Sequence, residues 1–456
     1  MLLGSQYERV HVIGAGGAGM SGIAKLLIQS GHTLSGSDLV MGPTLRSIGE
    51  LGADVWQGHD PSKMQGLDLV VASSAVPPSD PELFAAREAG ITAWDRPKLL
   101  RELTEHFPAI GATGTHGKTS TSAMLVHALR ALDADPSFVV GGKLVNVQTA
   151  ASFSGSQPFV LEIDEAFGTF THINISGLIV TNVEPEHLDY FGTADRMVDC
   201  YVDVMRGVSG PVVVCLDDPG ARRVRERAGG ISYGFSEGSA WQMSELVERA
   251  LSVSFRIVSS TVDVLVTVGK PGIHSARNAA GALALLGELG YDVAEAAAAL
   301  SSFQGVARRY ELRATVNGVT FIDDYAHHPT EVLSVLNAAQ QGDWNRTWVV
   351  FQPHLYSRTA ALYQEFGQAF AGVDELIVLD VFASREDPQP GISGHLIADA
   401  AEARTGANVR YIPHMSEVPD ALVPLLEEGD LVLTMGAGDI TVLPDKLAQA
   451  LAARDV

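Results

Sequence analysis

Residues Ala109 to Thr121 read AIGATGTHGKTST, an apolar run, a turn of small residues and a helix-compatible segment. No other stretch restricts the fold of this chain as strongly. Small residues let backbone N–H groups turn inward on phosphate oxygens, Lys118 has the reach for β/γ-phosphates, and the Thr119 hydroxyl can take a place on Mg²⁺. A helix expected to begin near Ser120 adds the positive end of its dipole. The common pattern asks for glycine five positions before Gly117, where Ala112 stands. A Gly/Thr-rich turn is ordinary in α/β proteins, but such turns seldom carry Gly-Lys-Thr behind an apolar strand. The loop Gly114, Thr115, His116, Gly117, Lys118, Thr119, Ser120 is therefore read as a nucleotide cradle, which demands strand, loop and helix in succession and so an α/β fold.

A second unit of the same kind opens the chain. The run Arg9 to Ile13 leads into Gly14-Ala15-Gly16-Gly17-Ala18-Gly19, and a helical pattern follows to about Ser30. The spacing of Gly14, Gly16 and Gly19, with Asp38 about twenty residues on after a strand Thr33 to Gly36, is that of a dinucleotide-binding turn. A nicotinamide cofactor and any other diphosphate fit it equally, since it offers backbone N–H groups and a helix terminus. A strand Leu67 to Ala72 ends in Ser73 and Ser74, read either as ligand contacts at a strand's carboxyl end or as turn formers. The segment Trp94 to His106 is expected to be the last helix of a first domain.

Beyond the phosphate loop, an apolar strand Phe159 to Glu165 ends in Glu162, Asp164 and Glu165. A second, from Leu178, ends in Thr181-Asn182-Val183-Glu184-Pro185-Glu186-His187-Leu188-Asp189. Carboxylates at strand ends beside a phosphate loop are suitable hard oxygen ligands for Mg²⁺; His187 is either a further ligand or a structural hydrogen-bond partner. Another strand is expected over Val212 to Leu216. Alternating apolar and polar residues from Trp241 to Val268 predict antiparallel strands. Asn278 opens an Ala-rich helix and can face an adenine edge, while Ser275 can simply cap that helix. Three later runs, Phe321 to Glu331, Val349 to Thr359 and Leu431 to Ile440, place polar residues at the ends of apolar strands, the arrangement of a site.

A length of 456 residues allows about three domains. With 54 acidic against 31 basic side chains and a formal charge of -23, a nucleic-acid partner is not expected. Cys200 and Cys215 are the only cysteines, with no metal-ligand spacing, which suits a reducing compartment. No apolar run approaches the length of a membrane span, so membrane insertion is not expected and a cytoplasmic location is.

Together these motifs resemble the Mur ligase family almost from end to end. The segments most particular to its alanine-adding branch are Asp323-Asp324-Tyr325-Ala326-His327-His328-Pro329-Thr330-Glu331, and Phe351-Gln352-Pro353-His354 with Arg358-Thr359. The resemblance implies three domains. Residues 1–105 would form a Rossmann-like domain holding UDP-N-acetylmuramate, and residues 106–309 a central P-loop ATPase-like α/β domain, with added antiparallel strands, for ATP and Mg²⁺. Residues 310–456 would form a Rossmann-like C-terminal domain admitting L-alanine. It implies that Gly14, Gly16, Gly17, Ala18, Gly19, Ser37, Asp38, Ser73 and Ser74 hold the UDP-sugar, and that the nucleotide set extends from the loop to Asn278, Arg309 and Asp323. Thr119 and Glu165 would serve one Mg²⁺ and His187 a second. Tyr325, His327, His328 and Arg358 would surround the amino acid and the reacting carboxylate.

The implied reaction is an ATP-dependent amide ligation through an acyl phosphate. Lys118 would neutralise transferring charge, and His187, His327 and His328 are the candidate bases. The rival readings are a ligase for a preformed murein peptide and a nucleotide-responsive binding protein without catalysis. A monomer or weak homodimer is expected. Two departures stand out: the family continues Asp-Glu with Ser-Asp where this chain has Ala166-Phe167, and Ser275 and Arg277 stand where it more often has Asn and an apolar residue. No lysine lies between Lys143 and Lys270, which closes the carbamoyl-lysine route to the second metal that some relatives use.

Overall fold

A computed structural model describes residues 2–384 and 386–454. They contain three sheets, distributed over two compact units. One unit comprises residues 1–246, 254–268 and 276–303; the other comprises 247–253, 269–275 and 304–456.

The first sheet is all parallel, in the order Asp54–Gln57, Thr33–Asp38, Arg9–Ile13, Leu69–Ala72, Thr92–Asp95. Its central strands are near-continuous runs of buried Val and Leu, as expected where helices cover both faces. Strand order reverses between Arg9–Ile13 and Leu69–Ala72, so the Gly14 turn and Ser73 sit at the switch point where open α/β sheets bind ligands. The segment expected to be one helix from Trp94 is divided: Thr92–Asp95 pairs with Leu69–Ala72, and the helix is Arg96–His106. The Asp95 carboxylate caps it, accepting from Lys98 N–H at 2.8 Å.

The second sheet has ten strands. Ala109–Thr113 runs between Phe159–Leu161 and Ile175–Val180, parallel to both. The first of these neighbours is shorter than expected, leaving Glu162 to Glu165 beyond the strand. At the far end, Trp241–Arg249, Ser252–Val258 and Asp263–Val268 are successive neighbours. Their connections are too short for a crossover, which makes them antiparallel, and burial alternates along each. One continuous apolar core, from Val10 and Leu27 to Val139, Leu178 and Tyr201, serves the first two sheets.

The third sheet runs Glu311–Val316, Val319–Asp324, Leu431–Met435, Thr347–Phe351, Glu375–Val378, Asn408–Tyr411, parallel except for its first strand. The three polar clusters of the sequence lie at the carboxyl ends of its second, third and fourth strands.

Candidate functional site

The phosphate loop leaves Ala109–Thr113 and enters a helix, Lys118–Ala131, two residues earlier than expected, so Lys118 and Thr119 occupy its first turn and Ser120 follows. Gly117 caps it in the left-handed region, at φ 83°, and a Cβ there would lie 2.7 Å from Asn278 Oδ1. Asn278, a candidate for the adenine edge, is buried against the turn itself. Gly114, at φ 134°, leaves no room for a side chain between Thr181 and Asn182.

The segment Thr181 to Glu184 staples the loop from behind. The Thr181 hydroxyl donates to the carbonyl oxygens of Thr113 and His116 at 3.1 and 2.7 Å. His116 N–H donates to Asn182 Oδ1 at 2.7 Å, and Asn182 Nδ2 returns to His116 O at 2.9 Å. Glu184 N–H donates to the Thr115 hydroxyl at 2.8 Å. These bonds tie the loop's backbone to the end of the neighbouring strand.

Lys118 Nζ donates to Gly114 O at 2.8 Å and to Glu165 Oε1 at 2.9 Å. The pair is enclosed, with side-chain exposures of 14% and 2%. Burial pushes the Glu165 carboxyl above its ordinary range, against the opposing pull of the lysine. Its other oxygen, Oε2, is buried and has no hydrogen-bond partner. Ligand atoms of Glu165, Glu186 and His187 all lie within 4.8 Å of one another. An orphaned carboxylate oxygen beside a second carboxylate and an imidazole fits a divalent cation. Thr119 points elsewhere: its hydroxyl donates to Glu162 Oε1 at 3.0 Å. Burial drives the Glu162 carboxyl upward too, although Gly141 N–H and the Thr119 hydroxyl donate to it. Glu162 and Glu186 were legible only as members of acidic strand ends; geometry singles them out.

At the first glycine turn, Gly14 takes φ 77°, and Gly14 and Ala15 N–H groups donate to Ser37 O at 2.8 and 3.0 Å. Gly16 N–H donates to Asp38 Oδ2 at 2.9 Å. Gly17 caps the helix Ala18–Gln29, whose first turn contains Gly19 beside the Arg96 guanidinium; the side chain of Ala18 lies outside the described residues. Ser73 packs against Gly14, and Ser74 is exposed at the same strand end.

Ser37, expected on the substrate, is instead interior: it has no exposed surface, and its hydroxyl donates to Glu82 Oε2 at 2.5 Å. Glu82 also receives Trp56 Nε1 and Asp60 N–H, both at 2.8 Å, with His11 Nε2 at 3.5 Å. Burial alone would raise this carboxyl, but the donors from His11, Asp60 and Ser37 outweigh it and hold it down at about 2. Ser37 thus serves the turn through its carbonyl and the core through its hydroxyl.

In the second unit the sheet brings Tyr325, His327 and Arg358 together through His354. The Tyr325 and His327 rings stand 5.0 Å apart, those of His327 and His354 5.8 Å, and Arg358 Nη1 lies 3.4 Å from His354 Nδ1. Arg308 and Arg309 stack over Tyr325 at 4.9 and 5.2 Å. His327 Nδ1 faces Tyr325 O at 2.9 Å; a carbonyl only accepts, so Nδ1 carries a proton, and in the neutral ring Nε2 keeps its lone pair. Burial lowers the His327 pKa, favouring that neutral form. His328 caps the helix Pro329–Ala339, and its N–H donates to Glu331 at 3.2 Å. Asp323 is fully enclosed: its oxygens accept from Thr434 and Thr441 at 2.8 and 2.6 Å, with Arg308 at 3.7 Å. The Arg313 guanidinium stands at 3.9 Å from the same carboxylate, so Asp323 sits between two arginines.

Residues 9–108 match the family described as Mur ligase family, catalytic domain; residues 112–286 match the Mur ligase middle domain; residues 308–438 match the Mur ligase, glutamate ligase domain. The chain is 41% identical to UDP-N-acetylmuramate--L-alanine ligase of Kineococcus radiotolerans, over 98% of this chain and 97% of that one. It is 38% identical to the ligase of the same name from Halorhodospira halophila, over 98% and 94%. Its fold is similar to the crystal structure of UDP-N-acetylmuramate-alanine ligase from Thermotoga maritima, with a TM-score of 0.84 and 25% identity over 98% of this chain and 99% of that one. A murein peptide ligase of Psychrobacter arcticus shares the fold at a TM-score of 0.67 and 23% identity, covering 98% and 99%. Three matched segments in order and full-length relatives at about 40% identity agree with the loop geometry: the chain belongs to the Mur ligase family.

Proposed function

We propose that this chain joins L-alanine to the carboxylate of UDP-N-acetylmuramate at the expense of ATP. The observation that carries the reading is the enclosed Lys118–Glu165 pair, on a preformed phosphate loop, beside Glu186 and His187. Likeness to ligases of that name along the full length supports the choice of substrates. Residues 1–105 take the UDP-sugar on the backbone of Gly14 to Gly19 with Asp38 and Ser73. Residues 106–309 take ATP on Gly114 to Ser120 with Asn278, and residues 310–456 take the amino acid near Tyr325, His327 and Arg358.

A carboxylate oxygen of the muramate attacks the γ-phosphorus, and ADP leaves. The amine of L-alanine then attacks the acyl carbon, phosphate departs, and the amine proton passes to a base. Lys118 exchanges Glu165 for phosphate oxygens and neutralises charge on the transferring group, while the loop fixes its position. Glu165, Glu186 and His187 would hold Mg²⁺, with Thr119 joining them only by leaving Glu162, and the ion would supply further neutralisation of phosphate charge. Among the candidate bases, His327 is favoured by its neutral imidazole with an unprotonated Nε2. Arg309 stacks on Tyr325, where it can steer an anionic group. We place the enzyme in the cytoplasm as a monomer or weak homodimer; among the described residues no helix is long and apolar enough to cross a membrane.

The deciding assay is phosphate release from ATP, Mg²⁺ and UDP-N-acetylmuramate, with L-alanine, glycine, L-serine or the murein tripeptide as acceptor. Release that depends on L-alanine is expected. Release with the tripeptide alone would make the chain a peptide ligase, and no acceptor-dependent release would leave a nucleotide-binding protein.

A further inference from the structure

Phe167 stands where the family resemblance leads one to expect aspartate, and its placement is costly. It is 62% exposed and sits at φ 54°, ψ 24°. A non-glycine residue there loses roughly 1–2 kcal/mol, and the exposed ring recovers little of it by burial. Its ring neighbours are His187, with centroids 6.5 Å apart, and Tyr190, at 6.3 Å and 77° between planes. Tyr190 is itself 50% exposed. Gly168 makes this approach possible, because a Cβ there would collide with the Tyr190 hydroxyl. His187 also adopts a left-handed backbone, at φ 53°. Two strained residues thus present an aromatic corner to solvent at the rim of the Glu165, Glu186, His187 group. Strain that contributes nothing to the core points to a ligand.

The ligand follows from what must come to that group. In the proposed reaction the attacking carboxylate meets the phosphoryl group beside Lys118 and Glu165. That carboxylate is joined to its pyranose ring by about three covalent bonds, a span of roughly 4 Å, so the sugar lies within reach of the rim. A pyranose face presents C–H groups with positive edges, and an aromatic face carries the complementary negative quadrupole. Phe167 has no hydrogen-bonding atom and can read only such an apolar face, while the Tyr190 hydroxyl adds a polar edge.

We propose that Phe167, with Tyr190 at its side, is a stacking platform for the pyranose ring of the UDP-sugar and a determinant of affinity for it. The proposal rests on the ligase reading above. Calorimetric titration of wild type, Phe167→Ala and Phe167→Tyr with UDP-N-acetylmuramate and with UDP, which lacks the sugar, tests it. Phe167→Ala should weaken UDP-N-acetylmuramate roughly five- to tenfold, the scale of one aromatic contact. UDP affinity, the melting temperature and half-saturating Mg²⁺ in turnover should not change, and Phe167→Tyr should retain wild-type affinity. Equal weakening of both ligands, no weakening of either, or a shift in Mg²⁺ saturation alone would overturn the platform. A wild-type protein that binds UDP-N-acetylmuramate no better than UDP would sink the ligase reading itself.

Discussion

Replacing Lys118 with methionine keeps its length and removes its charge, leaving Glu165 Oε1 without the cation now 2.9 Å away. At an effective dielectric of about 20, a charge pair at that separation interacts by ~6 kcal/mol. Glu165 has a cheaper escape, which is to take up a proton. Neutralising at about pH 7 a carboxyl whose unfolded pKa is about 4.3 costs ~3.7 kcal/mol. The smaller figure wins and caps the loss of stability, equivalent to a fall of roughly 5–7 °C in melting temperature for a unit of about 290 residues. The sign of the pH dependence follows. Burial already raises this carboxyl in the folded state, and without the lysine the rise is larger. The neutral form is free below the unfolded pKa and increasingly costly above it. The deficit of Lys118→Met against wild type should therefore shrink by up to about 1.4 kcal/mol per pH unit on acidification, falling to at most ~1 kcal/mol near pH 5. Urea unfolding at both pH values measures it. Lys118→Met/Glu165→Gln should recover the stability but not the activity, which loses on the order of 10²-fold or more in both variants. A deficit under ~1 kcal/mol at neutral pH, or one indifferent to pH, would refute the reasoning.

Three further outcomes are expected. Ser37→Ala should cost about 1–3 kcal/mol by withdrawing a donor from buried Glu82, while KM for UDP-N-acetylmuramate stays within about twofold; a raised KM at unchanged stability would return Ser37 to the substrate. Because the Glu82 carboxyl is held at about 2 when folded, its contribution is present above the unfolded value near 4.3 and lost as pH falls toward 2; acid titration of Glu82→Gln should show a shallower loss of stability across that window than wild type. Glu186→Gln should raise half-saturating Mg²⁺ about tenfold or more with little change in melting temperature, since Glu186 is exposed; unaltered saturation would remove it from the cation group.

What the sequence could disclose was local. The two Gly turns, the Gly-Lys-Thr cradle and the polar ends of apolar strands depend on neighbours within a few residues, and each lies on the expected kind of element. The boundary at Trp94 was also open to local reading: Asp95 two residues before Pro97 is a helix-start signature that separates strand from helix. Ser37 was not, because its partner Glu82 is forty-five residues away and nothing near Ser37 indicates that its hydroxyl turns inward. Asp323 is similar, its enclosure being supplied by Thr434 and Thr441 from far down the chain. Glu186 sat among several acids that spacing could not rank. Only the meeting of two strand ends selects it, with Glu165 and His187.

The staple of Thr181 and Asn182 across the phosphate loop bears on the thermodynamics of binding. A flexible loop would lose conformational freedom when phosphate arrives, and that loss would subtract from affinity. Here folding has already absorbed it, because the loop's backbone is tied to a neighbouring strand end. Association should accordingly carry a small ordering entropy at the loop, and its rate should not wait on loop rearrangement. Nucleotide affinity also becomes hostage to side chains that serve the loop from behind: loosening Thr181 or Asn182 would weaken ATP through mobility alone, with Lys118 and Thr119 chemically intact.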